Sequence, residues 1–381
     1  MNQARPIHFL SSLSLAIFSL GVILLVGEIT VRFFVPSNRW QFRDATTDWI
    51  MDERLGWVQK PKLDVITKAD QGWTIRFRTN EDGLTPWDAR RQKKEGDFRI
   101  MFVGDSTIVG RSVPDDKTIN AYLEYFLGEK GIKADVINAG VQGYSTDQAL
   151  LRMKQLLPLY HPDVVVYGAC DNDFGGNVLD STMGINKPRF QLMPDGSLQE
   201  IPPRLTKEIH SFEKGPAKWL QFSALYRFLQ PRLFVLRARL GRWEERNLLG
   251  LSPEMYYKKN ALDKIDWRIF TALINEMKKV AQRSGANFYF YTHPAIAEVW
   301  DPYIRDTEKK LKLKAGEYNR YAIESRFREV AKETGIHFIP LIDSFRERQS
   351  EGPFHLLPRD PHSNPAGYQL TAETIAKYLS Q

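Results

Sequence analysis

Four polar loops of the chain together carry the side chains that acyl transfer requires. In chain order, the residues are Ser106, Gly143, Asn172 and the pair Asp360 and His362. A serine can act as a nucleophile when a histidine accepts its proton, and a neighbouring carboxylate can orient that histidine. A glycine N–H and an asparagine amide can donate hydrogen bonds to the oxyanion that forms. The combination therefore points to serine-dependent chemistry on an acyl group.

Each of these residues also has an ordinary structural explanation. Ser106 lies in the turn sequence Gly-Asp-Ser, where it could simply be a turn or helix-cap residue. Gly143 could serve only a turn, and Asn172 could cap a helix. His362 could be a loop histidine. The functional interpretation depends on these loops meeting at one place in the fold.

An alternation of strands and helices from residue 98 onward predicts that meeting place. Strands are predicted at 100–103, 134–138, 163–168, 287–292 and 336–339, and helices at 146–157, 266–283, 318–333 and 364–379. This order indicates a parallel sheet with helices on both faces. In such sheets the ligand crevice lies beyond the carboxyl ends of the strands, which is where the four loops begin.

With these motifs, the chain resembles the SGNH (GDSL-type) hydrolase family over about residues 98–380, apart from an insertion. The resemblance implies Ser106 as the nucleophile, His362 as the base and Asp360 as its partner. It implies an oxyanion hole formed by the backbone N–H groups of Ser106 and Gly143 and the side chain of Asn172. It also implies a flavodoxin-like α/β/α sandwich with a five-stranded parallel sheet of order 2-1-3-4-5.

Three departures from the family pattern concern the site. Thr107 replaces the leucine of the GDSL motif, and Cys170 stands where a glycine is expected two places before Asn172. The usual Asp-x-x-His is shortened to Asp360-Pro361-His362. Because of this shorter spacing, Asp343 remains an alternative partner for His362.

The N-terminal region predicts a membrane anchor. Residues 9–27 carry no charge and have the length of a bilayer span, so we expect an uncleaved signal anchor over 7–29. The apolar run is longer than that of a signal peptide, and no Ala-x-Ala follows it. Residues 30–97 are expected to form a linker and small β preamble, with a strand at 73–79. The hydrolase domain is expected at 98–381, on the periplasmic or extracellular side.

An insertion at about 178–262 interrupts the predicted domain. It contains several prolines and is expected to begin as loop, then to become helical and basic over 222–229 and 232–243. The favoured interpretation of these helices is a lid packed on the core. The alternative is a helix on an anionic membrane surface.

Composition and residue spacing indicate which partners and cofactors the chain is not predicted to bind. The net charge of +7 is diffuse and does not predict nucleic-acid binding. Cys170 is the only cysteine, so no intramolecular disulfide forms, and we expect it to be a small buried residue. His293, His355 and His362 lack the spacing of metal ligands, and no glycine-rich phosphate loop is present, so neither metal nor cofactor is predicted. The oligomeric state is left open.

Three functions are compatible with these observations. The first is an esterase acting on an acyl group, most simply an O-acetyl group of a glycan, and the second is an acyltransferase to a sugar hydroxyl. The third is a non-catalytic glycan-binding component. The chain also resembles single-span bacterial members encoded with surface-polysaccharide genes, through Asn80–Gly83 and Lys187–Phe190. That resemblance implies an acylated glycan, or another ester, as the substrate.

Overall fold

The structure is a computed structural model. It describes residues 5–35, 48–69, 71–182, 185–204, 223–226, 228–229, 262, 266–312, 314, 319–356, 360 and 362–381. The chain divides into two compact units. One comprises Met1–Ala45 and Thr206–Trp243, and the other comprises Thr46–Leu205 and Glu244–Gln381.

The described strands and helices are numbered in chain order. The strands are β1 (Trp49–Asp52), β2 (Gly56–Gln59), β3 (Asp64–Lys68), β4 (Thr74–Arg78), β5 (Phe98–Gly104), β6 (Ala134–Asn138), β7 (Val164–Ala169), β8 (Ser181–Thr182), β9 (Ile185–Asn186), β10 (Arg189–Leu192), β11 (Leu198–Ile201), β12 (Asn287–Thr292) and β13 (His337–Ile339). The helices are α1 (Arg5–Phe34), α2 (Ser106–Val109), α3 (Ile119–Gly128), α4 (Thr146–Tyr160), α5 (Asp173–Gly176), α6 (Trp267–Arg283), α7 (Ile296–Val299), α8 (Asp301–Leu311), α9 (Ala322–Thr334), α10 (Leu341–Glu347) and α11 (Pro365–Leu379).

A five-stranded sheet forms the centre of the larger unit. Its strand order is β13-β12-β7-β5-β6, and every neighbouring pair is parallel. Counted along the chain, this is the predicted order 2-1-3-4-5, so the predicted fold class is confirmed. Gly104 pairs with Gly168, and Phe102 with Asn138, so the carboxyl ends of β5, β6 and β7 reach the same edge.

The central strands read as continuous apolar runs because helices cover both faces of the sheet. All residues of β7 are buried, as are all but the first of β5. The last helix, α11, begins as its sequence predicts. Asn364 caps it by accepting a hydrogen bond from the Gly367 N–H, and Pro365 occupies the first turn.

Two antiparallel hairpins precede the sheet. The strand predicted at 73–79 is β4, which pairs with β3, while β1 and β2 form a second hairpin that was not predicted. Residues 49–97 lie in the same compact unit as the sheet. The indole of Trp57 is fully buried there, so this segment contributes to the core.

The prediction that the insertion begins as a loop is wrong. In this part of the chain, β8 pairs antiparallel with β9, and β10 pairs antiparallel with β11. Pro188 precedes β10, Pro194 lies in the turn between β10 and β11, and Pro202 follows β11, so the prolines flank strands without interrupting a ladder. In the helix predicted at 222–229, residues 224–226 and 228–229 are helical. The one predicted at 232–243 lies outside the described residues.

The smaller unit contains α1, a 30-residue helix. Its segment Ser14–Phe34 is long and apolar enough to span a membrane, and 6% of that segment is buried. This segment overlaps the predicted anchor at 7–29 and extends beyond it. Near its C-terminal end, the Glu28 carboxylate accepts hydrogen bonds from the backbone N–H groups of Ala224 and Leu225, both at 2.9 Å.

Candidate active site

Ser106 is the first residue of α2, directly beyond the end of β5. The residue that caps this short helix is Asp105, whose carboxylate accepts hydrogen bonds from the Thr107 N–H at 2.9 Å and hydroxyl at 2.7 Å. The Ser106 hydroxyl therefore has no capping role. Its half-buried side chain lies at the edge of the sheet where the strand ends converge.

Gly143 lies in the loop between β6 and α4. The Val141 N–H donates to the Gly104 carbonyl at 3.1 Å, which ties this loop to the strand that leads to Ser106. Gly143 has a φ of +74°, in the left-handed region that favours glycine. The turn therefore requires a glycine here, independently of any role for its N–H.

The β1–β2 hairpin contacts the loop that carries Gly143, and the sequence did not predict this contact. The indole N–H of Trp49 donates to the Gln142 side chain at 2.8 Å, and that of Trp57 donates to the Gln142 carbonyl at 2.9 Å. The Tyr144 hydroxyl donates to the Trp57 carbonyl at 2.5 Å. Both residues flanking Gly143 are thus fixed by β1 and β2. Nothing in the sequence of this hairpin indicates which loop it contacts.

Asn172 lies between β7 and α5. It occupies the N-cap position of α5, but its side chain makes no capping bond. Instead, its amide nitrogen donates to the Asp105 carboxylate at 3.2 Å, across two strand ends. Its amide oxygen is buried and has no hydrogen-bond partner among the described residues. The amide is therefore turned toward the Ser106 loop and away from the helix that it precedes.

The structure pairs His362 with Asp360, the partner that the short Asp-Pro-His spacing had left in question. The Asp360 carboxylate lies 2.5 Å from Nδ1 of His362 and accepts the His362 backbone N–H at 3.0 Å. Asp343, the alternative partner, is bound to Arg328 at 3.1 Å on the exposed side of α10. The structure thus brings Asp360 to the imidazole and Asp343 to another partner.

The electrostatics of this pair favour a basic imidazole. Burial lowers the pKa of His362, but the hydrogen bond and charge of Asp360, with the charge of Asp105, outweigh it and raise the pKa above its usual value. Burial raises the pKa of Asp360, but its contacts with His362 prevail and lower it. With Nδ1 on the carboxylate, Nε2 is the nitrogen left to accept a proton.

A contact between α11 and α2 joins the histidine and serine loops. The Tyr368 hydroxyl donates to the Thr107 carbonyl at 3.0 Å. Thr107 directly follows Ser106, and Tyr368 lies six residues after His362. The Ser106 hydroxyl makes no hydrogen bond to any described residue, so Ser106 and His362 are not directly bonded here. Catalytic hydrogen bonds of this type are often long in a free enzyme and tighten only with substrate.

The other histidines near this edge have structural contacts. His293 is buried, with its ring 5.7 Å from that of His355. Nε2 of His355 contacts the Pro294 carbonyl at 2.7 Å. Burial, with the neighbouring His293, lowers the pKa of His355 to about 3, so this ring stays neutral.

Cys170 is half-buried, and its thiol donates to the Asp171 carboxylate at 3.3 Å. Burial and the negative charges of Asp171 and Asp105 raise the pKa of the thiol. A protonated thiol is a poor nucleophile.

Among the residues that the structure describes, no group of three or more His, Cys, Asp or Glu side chains is placed to hold a metal ion.

Sequence comparisons show which known proteins the chain is similar to. Residues 102–370 match the sequence model of the GDSL-like lipase/acylhydrolase family. The chain is 33% identical over 75 residues to an arylesterase of Vibrio mimicus, a match that covers 20% of this chain and 38% of that protein. The chain therefore aligns with less than two thirds of this curated relative.

Two solved structures resemble the fold at low sequence identity. An acetyl xylan esterase, AlAXEase, is 14% identical with a TM-score of 0.38, covering 74% of this chain and 99% of that one. The psychrotrophic esterase EstA from Pseudoalteromonas sp. is also 14% identical, with a TM-score of 0.35, covering 75% and 100%.

The family match spans more than half of the chain and includes Ser106, Gly143, Asn172 and His362. The chain therefore belongs to the GDSL-like lipase/acylhydrolase family.

Proposed function

We propose that the protein is a serine esterase that removes an acyl group, most simply acetyl, from a hydroxyl of a glycan through an acyl-Ser106 intermediate. The observation that carries the proposal is the bond between Asp360 and Nδ1 of His362 at the strand edge that also holds Ser106. A carboxylate in this position fixes the imidazole tautomer and leaves Nε2 free to act as the base.

In the first step, Oγ of Ser106 attacks the ester carbonyl while Nε2 of His362 takes the hydroxyl proton. The carbonyl oxygen becomes an oxyanion, stabilised by the backbone N–H groups of Ser106 and Gly143 and the amide N–H of Asn172. The Asn172 amide nitrogen carries two N–H groups, so one can keep the 3.2 Å hydrogen bond to Asp105 while the other donates to the oxyanion. His362 then returns the proton to the departing alcohol oxygen, which leaves the acyl group on Ser106.

In the second step, His362 takes a proton from water, and the resulting hydroxide attacks the acyl carbonyl. The same oxyanion donors act again, and the carboxylate product leaves as Ser106 regains its proton. A sugar hydroxyl in place of water would make the protein an acyltransferase. The two activities share every residue named above, so the acceptor distinguishes them.

We further propose that α1 anchors the protein in a membrane, with the catalytic unit on the periplasmic or extracellular side. The span Ser14–Phe34 supports an anchor by its length and apolar composition. The full-length protein should then resist carbonate and salt washes and dissolve only in detergent. Protease added to spheroplasts, in which the outer side of this membrane is accessible, should digest the catalytic unit. Release by salt would contradict the anchor, and full protection from protease would contradict the sidedness.

The catalytic proposal is tested with the full-length protein in detergent. We expect wild type to hydrolyse an activated acetyl ester and to be labelled by a fluorophosphonate, and Ser106→Ala to lose both. Ser112→Ala, which removes another half-buried loop serine, is the matched control and should keep both. Labelling that persists in Ser106→Ala would contradict the proposal.

Product analysis then addresses the substrate. An acetylated glycan is incubated with and without an acceptor sugar, and free acetate and acetylated acceptor are measured. Acetate release that does not depend on acceptor supports the esterase. Acetylated acceptor, with little free acetate, would replace the esterase by the transferase. Activity on simple esters alone would contradict the glycan as substrate.

A further inference from the structure

A buried ion pair beside the Asn172 loop lies outside the catalytic set. The side chains of Lys187 and Asp147 are both 0% exposed and form a salt bridge. Removing two charges from water is costly, and apolar residues of similar size often stabilise a fold equally well. Stability alone is therefore a weak explanation for this pair, and the geometry that it fixes is a better one.

Lys187 holds the segment that follows Asn172. Its ammonium donates to the Gly176 carbonyl at 3.1 Å and to the Pro188 carbonyl at 3.0 Å. Gly176 ends α5, the single helical turn that starts directly after Asn172. The Gly176 N–H donates back to the Asn172 carbonyl at 2.8 Å. Only this turn of backbone separates the buried ammonium from Asn172.

Asp147 connects the same cation to the loop that carries Gly143. It lies in the first turn of α4, four residues after Gly143. Its backbone N–H donates to the Asn177 side chain at 3.2 Å, and the Asn177 amide donates to the Thr146 hydroxyl at 3.1 Å. The ion pair is therefore part of a buried network between the two loops that carry the proposed oxyanion donors.

The loops that carry Gly143 and Asn172 lie in close contact beside this ion pair. A Cβ atom added at Gly176 would lie 2.0 Å from the Ser145 hydroxyl oxygen, which is far inside van der Waals contact. Ser145 precedes α4, and Gly176 ends α5. Little free space therefore separates the two loops at this point, which lies beside the Lys187 ammonium.

We propose that Lys187, paired with Asp147, is a positioning residue that holds the Asn172 amide in place to stabilise the oxyanion. This inference rests on the proposed function. A useful oxyanion donor lies about 2.7–3.1 Å from the oxygen in the transition state. A displacement of about 1 Å in an active site can cost up to about 10²-fold in rate. Loss of the pair should therefore lower kcat and leave KM nearly unchanged.

The test compares charge removal in two backgrounds. The main variant is Lys187→Met with Asp147→Asn, which removes both charges together and leaves no unpaired buried charge. It is made in wild type and in Asn172→Ala, and kcat, KM and Tm are measured on an activated acetyl ester. The matched control is Arg99→Met, which removes a buried cation paired with Asp135 at the opposite end of β5 from Ser106.

In wild type, we expect the double variant to lower kcat by about tenfold or more, with KM within about twofold. In Asn172→Ala, the same change should alter kcat by less than about twofold, because the donor that Lys187 positions is already absent. Arg99→Met should lower Tm without changing kcat. An unchanged kcat in the double variant, or a loss that multiplies with Asn172→Ala, would overturn the proposal.

A milder variant covers the case in which the double variant does not fold. Lys187→Gln with Asp147→Asn keeps two neutral hydrogen-bonding side chains and no unpaired buried charge, and should lower kcat in the same direction, again only when Asn172 is present. An unchanged kcat would overturn the proposal. Failure of the proposed function is a separate outcome, since wild type would then show no activity that depends on Ser106.

Discussion

The two halves of the proposed site are held in different ways. On the oxyanion side, contacts between separate strands and loops fix the groups, as with the bond from Asn172 to Asp105 and the bond from Trp57 to the Gln142 carbonyl beside Gly143. On the base side, the Asp360 and His362 side chains are 42% and 28% exposed, and the two residues lie only two positions apart in the chain. One half depends on the whole fold, and the other depends on a local turn.

This difference corresponds to what the oxyanion donors and the imidazole each do during the reaction. The oxyanion donors must already be in place when charge develops, so they benefit from a rigid, dry surrounding. The imidazole must accept a proton, release it and accept another, and partial exposure leaves room for that exchange. The comparison predicts a large rate loss without a pH effect when Asn172 is removed, and a smaller loss with a pH effect when Asp360, the exposed partner of the base, is neutralised.

The largest of these effects is expected for Asn172→Ala. Losing one oxyanion donor typically costs about 10²–10³-fold in kcat, and the pH profile should keep its shape. Asn80→Ala is the matched control, because it removes a buried amide bonded to Tyr160 at 2.8 Å, away from the strand ends. Asn80→Ala should lower Tm and leave kcat intact. An unchanged kcat in Asn172→Ala would remove Asn172 from the oxyanion hole.

A smaller loss with a pH shift is expected for Asp360→Asn. The carboxylate raises the pKa of His362, so its loss lowers that pKa. Because the neutral imidazole is the active base, the acid limb of kcat/KM should move to lower pH. Water can partly replace a carboxylate this exposed, so we expect a rate loss of about 10–10²-fold, less than for a buried partner.

Asp343→Asn is the control for that variant. Its carboxylate binds Arg328, so the pH profile of Asp343→Asn should match wild type. If Asp343→Asn moved the acid limb and Asp360→Asn did not, the assignment of the partner would be reversed.

The smallest effect is expected for Gly143→Ala. The N–H remains, but alanine in the left-handed region costs about 1–2 kcal/mol, which corresponds to about tenfold if it displaces the donor. Gly72 has a φ of +92° with open space around it, so Gly72→Ala carries similar strain far from the site. Both variants should lose a similar amount of stability, and only Gly143→Ala should lose rate. Equal rates would show that this turn does not position a donor.

The sequence predicted the sheet because its strands are buried on both faces. The strands predicted at 134–138 and 287–292 have the observed bounds, since apolar runs alternate with amphipathic helices. The family resemblance implied the link between Asp360 and His362, but the short spacing of the two residues left Asp343 open as an alternative partner. Local spacing and strand burial are properties that a sequence displays directly.

Contacts across long separations were not predictable in this way. Lys187 and Asp147 are 40 residues apart in the chain, and neither lies in a pattern that indicates burial or pairing. Trp57 likewise reaches Gln142 across 85 residues. The strand pairs β8–β9 and β10–β11 were missed because prolines near strand ends resemble loop signals. These features depend on tertiary packing, which overrides local propensity.

The central claim is that Ser106 and His362 act as one nucleophile–base pair. It is tested by kcat/KM on an activated acetyl ester for Ser106→Ala, His362→Ala and the double variant, with circular dichroism to verify folding. Each single change should cost at least about 10³-fold, and the double variant should be little worse, because paired catalytic groups are strongly non-additive. Losses that multiply in the double variant, or a fully active Ser106→Ala, would contradict the account.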